Sequence, residues 1–431
     1  MKTVTEITES DQRRTWKNAN FRHLWRGSAA STLGAEIAEI AMPLFAIITL
    51  SASAAQVSVM RIAQFLPFLV ATLPVGFMID KWWRARLRWM IGADVARALL
   101  IVVVPLTVWA GFGDITFLYA VVFTVALFTV VYQVADFAVL PTIVSPTQLV
   151  DANGKLSALH SGSEIAGRGL GGLLVQLLSA PVALLLNAFG YLISALSLSR
   201  VRWTPDPSAA TPDAGGSWRE AMRGVGLTLR HRYLRPLLGE ATTFNLANEI
   251  FLLGLLLYLV RDAGLSPAAI GLMFTAGGAG SFLGAWFGAH VTGRFGYGRV
   301  LVVTLIAGNS APLGALLAQR AGSALIPLMC AVFAIMGVGI GIANVHAVSL
   351  RQVAVAENVR GRVNAAYRLI SWGAIPVGAA LGGVIATRAN PFTATCIGAI
   401  GVSCATLWVV FSQIPHLRSI GQAATVTPPH R

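Results

Sequence analysis

Residues 115–140 read ITFLYAVVFTVALFTVVYQVADFAVL, and Asp136 is the single charged residue among them. A helix needs about 20 mainly apolar residues to cross the hydrocarbon core of a bilayer, and this stretch exceeds that length. Working outward, the same ruler finds spans at Leu24–Leu50, Val57–Ile79 and Trp89–Ala110 before it, and at Leu149–Gln176 and Val182–Ser199 after it. A polar stretch from Arg200 to Arg235 interrupts the series. Six more spans follow: Pro236–Val260, Pro267–Val291, Val300–Gln319, Ala324–Leu350, Val363–Ala386 and Phe392–Ile414. The fold class read from this pattern is an all-α integral membrane protein of twelve transmembrane helices.

Composition agrees. Of the 431 residues 55% are hydrophobic and 12% charged, and the mean hydropathy is +0.69. A soluble protein carries about 25% charged residues, so this chain lacks the material for a water-facing surface. The 43 glycines fit the same reading, because small residues let membrane helices approach closely. Met1 to Asn20 are polar, with Glu6, Glu9, Asp11, Arg13, Arg14 and Lys17, and form no signal-peptide core. They read as a short cytoplasmic tail. Cys330, Cys396 and Cys404 fall inside apolar runs with neither disulfide-framework nor metal-site spacing, and read as small hydrophobes.

The net charge of +14 would suggest nucleic acid in a soluble protein. Its distribution argues otherwise. Arg261, Arg320 and Arg388 lie on one side of the spans, and Arg61, Arg97 and Arg168 read as intramembrane. The remaining Lys and Arg gather in the N-terminal tail, around the loops after even-numbered spans, in the central linker and in the C-terminal tail. Such an excess marks the cytoplasmic face. Both termini and the linker are therefore expected in the cytoplasm, with anionic lipid headgroups rather than nucleic acid as partners.

The two halves are related in sequence. Leu33-Gly-Ala-Glu36-Ile37 in span 1 matches Leu246-Ala-Asn-Glu249-Ile250 in span 7, an offset of 213. Asn153 and Gly171-Gly172 in span 5 match Asn364 and Gly382-Gly383 in span 11, an offset of 211. Two pseudo-symmetric six-helix bundles follow: residues 1–199 with the tail, a cytoplasmic linker at 200–235, and 236–431. Parallel repeats of this kind describe a secondary transporter with its site between the halves. The linker begins with Pro205, Pro207, Pro212, Gly215 and Gly216, a flexible composition, and Trp218 to Arg232 reads as an amphipathic helix on the inner leaflet.

The loop after span 2 reads Gly76-Phe-Met-Ile-Asp80-Lys81-Trp-Trp-Arg84-Ala-Arg86. With it the chain resembles the major facilitator superfamily over nearly its whole length. The superfamily's signature there is Gly-x-x-x-Asp-Arg-x-Gly-Arg-Arg; Gly76, Asp80, Lys81 and Arg84 match it, while Lys replaces Arg and Trp83 replaces the second glycine. The resemblance implies a cytoplasmic gate. Asp80 would face a helix N-terminus in the other half, and Arg84 or Lys81 would bond an acid at the end of span 4, where Asp136 sits. The plainer reading is a positive-inside loop. Gly167-Arg168-Gly169-Leu170-Gly171-Gly172 in span 5 resembles the Gly-Pro-x-x-Gly-Gly motif of drug/proton antiporters, with Arg168 in the place of proline. Finer motifs run in order: Asn20-Phe-Arg-His-Leu-Trp25, Leu66-Pro67 with Leu73-Pro74, Ala93-Asp94-x-x-Arg97-Ala98-Leu99, and Leu140-Pro141 before Leu149-x-x-Ala152-Asn153. They look like bacterial exporters of the macrolide-efflux and enterobactin-exporter type. Span 4 lacks the arginine that many proton-driven relatives carry there.

Charged groups within spans are expensive and are functional candidates. Glu36 and Glu39 lie near the middle of span 1 on a similar face. Glu249 is the repeat mate of Glu36. In the fold the resemblance implies, helices 1 and 7 line the central cavity, so Glu36 and Glu249 are expected to face it. A carboxylate there can take up a proton near neutral pH and lose it when the cavity opens to the other side, the minimum chemistry of an antiporter. Alternatively, Arg61 permanently neutralises Glu39. Glu164 precedes Arg168 by four residues, and their pair reads as structural or functional equally well. Asp94 and Arg97 are spaced for an in-helix structural pair, and Glu240 reads as solvated near the inner interface. Tyr132, Tyr258, Trp286 and Trp372 are candidates to stack on an aromatic or amphipathic substrate, although packing explains them as well. Asn245, Asn248, Asn344, Gln133, His160 and His346 are possible cavity liners.

There is no Walker-type loop to drive transport with ATP, and neither a metal-ligand spacing nor a nucleophile–base pair is apparent. The expectation is a non-enzymatic secondary transporter: a proton-coupled exporter of small amphipathic molecules in a bacterial inner membrane. It is expected to work as a monomer, without a bound cofactor, on the proton gradient. The runner-up is an importer or facilitator of a metabolite or lipid. A membrane sensor or an intramembrane enzyme is the reading from another class.

Overall fold

A computed structural model of the chain describes residues 15–145, 148–202, 218–355 and 357–423. The start of the linker, with its prolines and Gly215 and Gly216, lies outside these residues. Among the described residues the structure is helical and contains no strand. The helices are α1 Ala19–Leu44, α2 Ala54–Val70, α3 Thr72–Lys81, α4 Arg86–Trp109, α5 Ile115–Ile143, α6 Leu149–Leu178 and α7 Ala180–Ser199. After the linker come α8 Trp218–Arg230, α9 Leu234–Leu257, α10 Pro267–Phe295, α11 Tyr297–Ser310, α12 Leu325–Ala354, α13 Glu357–Arg388, α14 Pro391–Ala405 and α15 Leu407–Val410.

Each span read from the sequence contains a helix, and ten helical segments are long and apolar enough to cross a membrane. The other two depart from that simple pattern. Val57–Ile79 is broken at Ala71 into α2 and α3. In α6, Asp151, Lys155, Glu164 and Arg168 interrupt the apolar run. The apolar surface is turned outward in keeping with a bilayer: Phe137, next to Asp136 on α5, is 86% exposed.

Local sequence sets the helix ends. The Asn18 side chain caps α1 by accepting from the backbone N–H groups of Asn20 and Phe21, at 2.9 and 3.2 Å. Ser266 and Asn390 cap α10 and α14 in the same way, each followed by a proline whose missing N–H is harmless in the first turn.

Contacts group the chain into two compact units, Met1–Ser51 with Ala63–Gly215, and Ala52–Ile62 with Gly216–Arg431. The chain thus passes from one unit to the other within α2. In the first unit α1 packs on α6 and α7, and α4 packs on α5 and α7. In the second, α9 packs on α13 and α14, and α11 packs on α12 and α14. This is the same arrangement one repeat later. The repeat reaches individual turns: π-helical turns end α1 at Phe45–Thr49 and α9 at Tyr258–Asp262, 213 residues apart. The linker helix α8 packs against α13 and α9 within the second unit.

Close approach by glycine fixes the matched helices. A Cβ on Gly167 of α6 would lie 2.5 Å from Glu36 Cβ and 3.2 Å from Leu33 O. In the second unit, a Cβ on Gly378 of α13 would meet Glu249 Cβ at 3.1 Å and collide with Leu246 O. Gly171 faces Ile37, and Gly382 faces Ile250. The same acid-bearing turn is pressed onto the same glycine-bearing turn in both units.

Candidate functional site

Because Gly167 admits α1 so closely, the next residue of α6 meets the acid itself. Arg168 Nε donates to Glu36 Oε2 at 3.0 Å, and Arg168 Nη2 lies 3.2 Å from Glu164 Oε1 one turn back on α6. Glu39, one turn along α1, acts electrostatically on both Glu36 and Arg168. Gln64 Nε2 donates to Glu39 Oε2 at 2.7 Å. Three carboxylates thus surround the Arg168 guanidinium in the first unit. The Glu164–Arg168 pair exists, and it is extended by Glu36 into a triad.

In the second unit the equivalent acid has a different partner. Arg61, from the part of α2 that belongs to this unit, holds Glu249 through two contacts, Nε to Oε1 at 2.7 Å and Nη2 to Oε2 at 3.1 Å. The sequence offers Arg61 as a partner for Glu39, and its pairing with Glu249 is not legible there. On the same helix as Glu249, Asn248 Oδ1 is buried without a hydrogen-bond partner among the described residues.

A cavity of about 540 Å³ opens among α9, α11, α12 and α13 of the second unit. Asn245 and Trp372 line it, as does Asn344; Tyr132, Tyr258 and Trp286 are not among its walls. Asn245 Nδ2 donates to Ser371 O at 2.8 Å. Three charged residues also line the cavity. Glu240 accepts from Asn309 Nδ2 at 3.2 Å. Arg351 stacks on Tyr367, and Arg368 stacks on Trp372, with guanidinium-to-ring distances of 3.9 and 4.2 Å. Glu240, expected to be solvated near the inner interface, is instead a wall of this cavity, and in the sequence both arginines bear only on topology. The available signal was position: Arg351 ends one apolar span and Arg368 begins the next, so both point back toward the same layer.

The other aromatic candidates are packing residues or outward-facing. Tyr132 is buried in the first unit, and its ring and that of Tyr191 clasp the Arg97 guanidinium at 4.6 and 4.3 Å. Arg97 also forms the expected in-helix pair with buried Asp94. Tyr258 is buried against Phe392, and Trp286 is 65% exposed. His346 is buried, bonded to Thr292 and stacked on Tyr297.

Of the gate residues, Gly76 and Lys81 lie on α3, and Lys81 and Arg84 are exposed at its end. Asp80 also lies on α3, with its side chain outside the described ones. Asp136 is half-buried on α5, and its Oδ1 is enclosed without a hydrogen-bond partner among the described residues. Among the described residues no group of His, Cys, Asp or Glu is arranged to hold a metal ion, and the three cysteines are unpaired.

Two repeated helical units with outward apolar surfaces and charged clusters inside define a multi-pass membrane protein of the transporter class. The chain belongs to the Major Facilitator Superfamily, whose sequence model matches residues 24–379. It is 26% identical to the multidrug efflux pump Tap of Mycolicibacterium fortuitum, over 92% of this chain and 96% of that protein. It is 24% identical to macrolide efflux protein A of Streptococcus pyogenes, over 86% and 90% of the two chains. Among solved structures, the nucleoside transporter NupG superimposes with a TM-score of 0.68 at 11% identity, covering 91% of this chain and 97% of that one. A bacterial homologue of the human lysosomal transporter Spinster gives 0.65 at 17% identity, with coverage of 95% and 98%.

Proposed function

We propose that the chain is a proton-coupled exporter of small amphipathic molecules, working by alternating access in a bacterial inner membrane with both termini cytoplasmic. The observation that carries this reading is the acid-rich cluster of the first unit, in which Glu36, Glu39 and Glu164 share the neighbourhood of Arg168. Carboxylates in excess over the base they surround repel one another, and taking up one proton relieves that repulsion. Glu36 is the natural carrier, since its bond to Arg168 can be made when it is charged and released when it is neutral. The efflux activities named for the two relatives support the outward direction.

The test is transport of a dye or macrolide panel in vesicles with an imposed pH gradient. Wild-type protein is expected to accumulate substrate against its gradient, and Glu36→Gln to lose that accumulation. Gradient-driven transport undiminished in Glu36→Gln would remove Glu36 from the mechanism.

A further inference from the structure

Two of the intramembrane acids are matched by an arginine, Glu36 by Arg168 and Glu249 by Arg61. Two cations without an ion pair among the described residues, Arg351 and Arg368, line the second unit's cavity. Arg351 Nε is buried without a hydrogen-bond partner among the described residues. Each guanidinium instead lies over an aromatic ring, Tyr367 or Trp372. Stacking of this kind holds the planar fork in place and leaves its edge N–H groups free to donate. Charges within a membrane protein are retained where they meet a partner or a ligand, and among the described residues no carboxylate pairs with either arginine. Glu240, the one acid among the described walls, is bonded to Asn309 on α11 and forms no ion pair with either arginine.

We propose that this cavity binds the anionic end of an amphipathic molecule, with a carboxylate, phosphate or sulfate held by Arg351 and Arg368. The apolar body would lie against Trp372 and Phe244, two further walls of the same cavity. Two forked donors lining one cavity suit a planar or tetrahedral oxyanion, and a volume of about 540 Å³ falls in the range that encloses a drug-sized ligand. The inference deepens the proposed export of amphipathic molecules by naming their charge. It concerns binding alone, which needs neither a gradient nor a direction.

The experiment uses the full chain in nanodiscs of zwitterionic lipid, with empty discs as the blank. Three probes share one apolar body: 2-naphthoate, 2-naphthylmethanol and 2-naphthylmethylammonium. Dihexanoyl phosphatidate is a fourth, and it separates a lipid-derived anion from a small soluble one. Wild-type protein is expected to bind 2-naphthoate or the phosphatidate at least about tenfold more tightly than the alcohol or the ammonium probe, the size of effect typical of charge-assisted hydrogen bonds. Arg351→Gln and Arg368→Gln should each remove most of that preference. Arg351→Lys and Arg368→Lys should keep part of it, because charge survives while the fork and the stack do not. Equal binding of all probes by wild-type protein overturns the proposal, as does preference for the ammonium probe, and neither result depends on any variant folding. An anion preference unchanged in the Arg351→Gln, Arg368→Gln double variant also overturns it. Failure of gradient-driven transport alongside intact anion preference would count against the proposed function and leave this site standing.

Discussion

Arg61 Nε lies 2.7 Å from Glu249 Oε1, and the two side chains are only 12% and 6% exposed. Glu36, at the same place in the first unit, is held by Arg168. The acids are thus repeated and the cations are not: one guanidinium comes from α2, the other from α6. At position 379, one repeat after Arg168, stands Ala379, whose carbonyl accepts from Ser58 Oγ at 2.7 Å. The two units keep one packing plan and solve its charge problem differently.

Breaking a buried ion pair leaves one uncompensated charge, at a cost of about 3–5 kcal/mol. Arg61→Gln and Glu249→Gln are therefore each expected to destabilise the protein by that order, and the double variant to recover most of the loss. Unfolding of all four forms in the same detergent measures the coupling. Simply additive losses would show that the pair is not a unit.

The glycine contacts make a second, sharper prediction. Gly167→Ala and Gly378→Ala each push a methyl into the facing acid-bearing turn, and overpacking of this kind costs about 1–3 kcal/mol. Gly154→Ala and Gly162→Ala lie on the same helix as Gly167 but would meet nothing within 4 Å. They are expected to be neutral or slightly stabilising, since alanine favours helix over glycine. Melting temperatures should separate the two pairs; equal effects would show that α1 and α6 are free to move apart.

Much of this architecture is legible in sequence, because a bilayer demands long apolar runs and a repeat leaves matching residues. Glu36 and Glu249 alone predict the offset at which the π-turns Phe45–Thr49 and Tyr258–Asp262 recur. Pairing is less legible. Glu164–Arg168 follows from helix spacing, whereas Arg61–Glu249 joins residues 188 positions apart, and spacing says nothing at that range. The place of Arg351 and Arg368 is not legible, because a basic residue near a span end satisfies the positive-inside pattern, and nothing in that pattern says which way its side chain turns.

For the loop after α3, neutralising Asp136 is the informative change. Its Oδ1 is enclosed without a hydrogen-bond partner among the described residues, and Asp94 is its charged neighbour. Asp136→Asn preserves shape and removes the charge a gate would use. Transport is expected to fall while the amount of folded, inserted protein stays constant. A normal rate would leave Lys81 and Arg84 as topology signals only.

Topology has its own test. Reporter fusions within 200–235 should report the cytoplasm, and fusions beside Arg261, Arg320 and Arg388 the opposite side. An external signal from the linker requires an odd number of crossings before it, which would remove either α2 with α3 or α6 from the spanning set.

The mechanism stands on Glu36. Glu36→Gln keeps the size of the side chain and its hydrogen bonds but ends its titration. One charge moved across the membrane is worth about 2.3 kcal/mol per 100 mV, and a difference of one pH unit adds about 1.4 kcal/mol. Loss of coupling should therefore lower the attainable substrate gradient by an order of magnitude or more, while substrate exchange without a gradient continues. Glu164→Gln should do less, because its side chain is 48% exposed against 23% for Glu36 and water can take over its role. Glu249→Gln should act through stability, as its tie to Arg61 predicts, rather than through the pH dependence of transport. Initial rates from external pH 6 to 8 distinguish these effects: a flattened profile marks a lost proton carrier, and a uniformly lowered one marks lost protein. If Glu36→Gln, Glu39→Gln and Glu164→Gln all retain the full wild-type profile, the cluster around Arg168 is structural and the chain moves its substrate without protons from this unit.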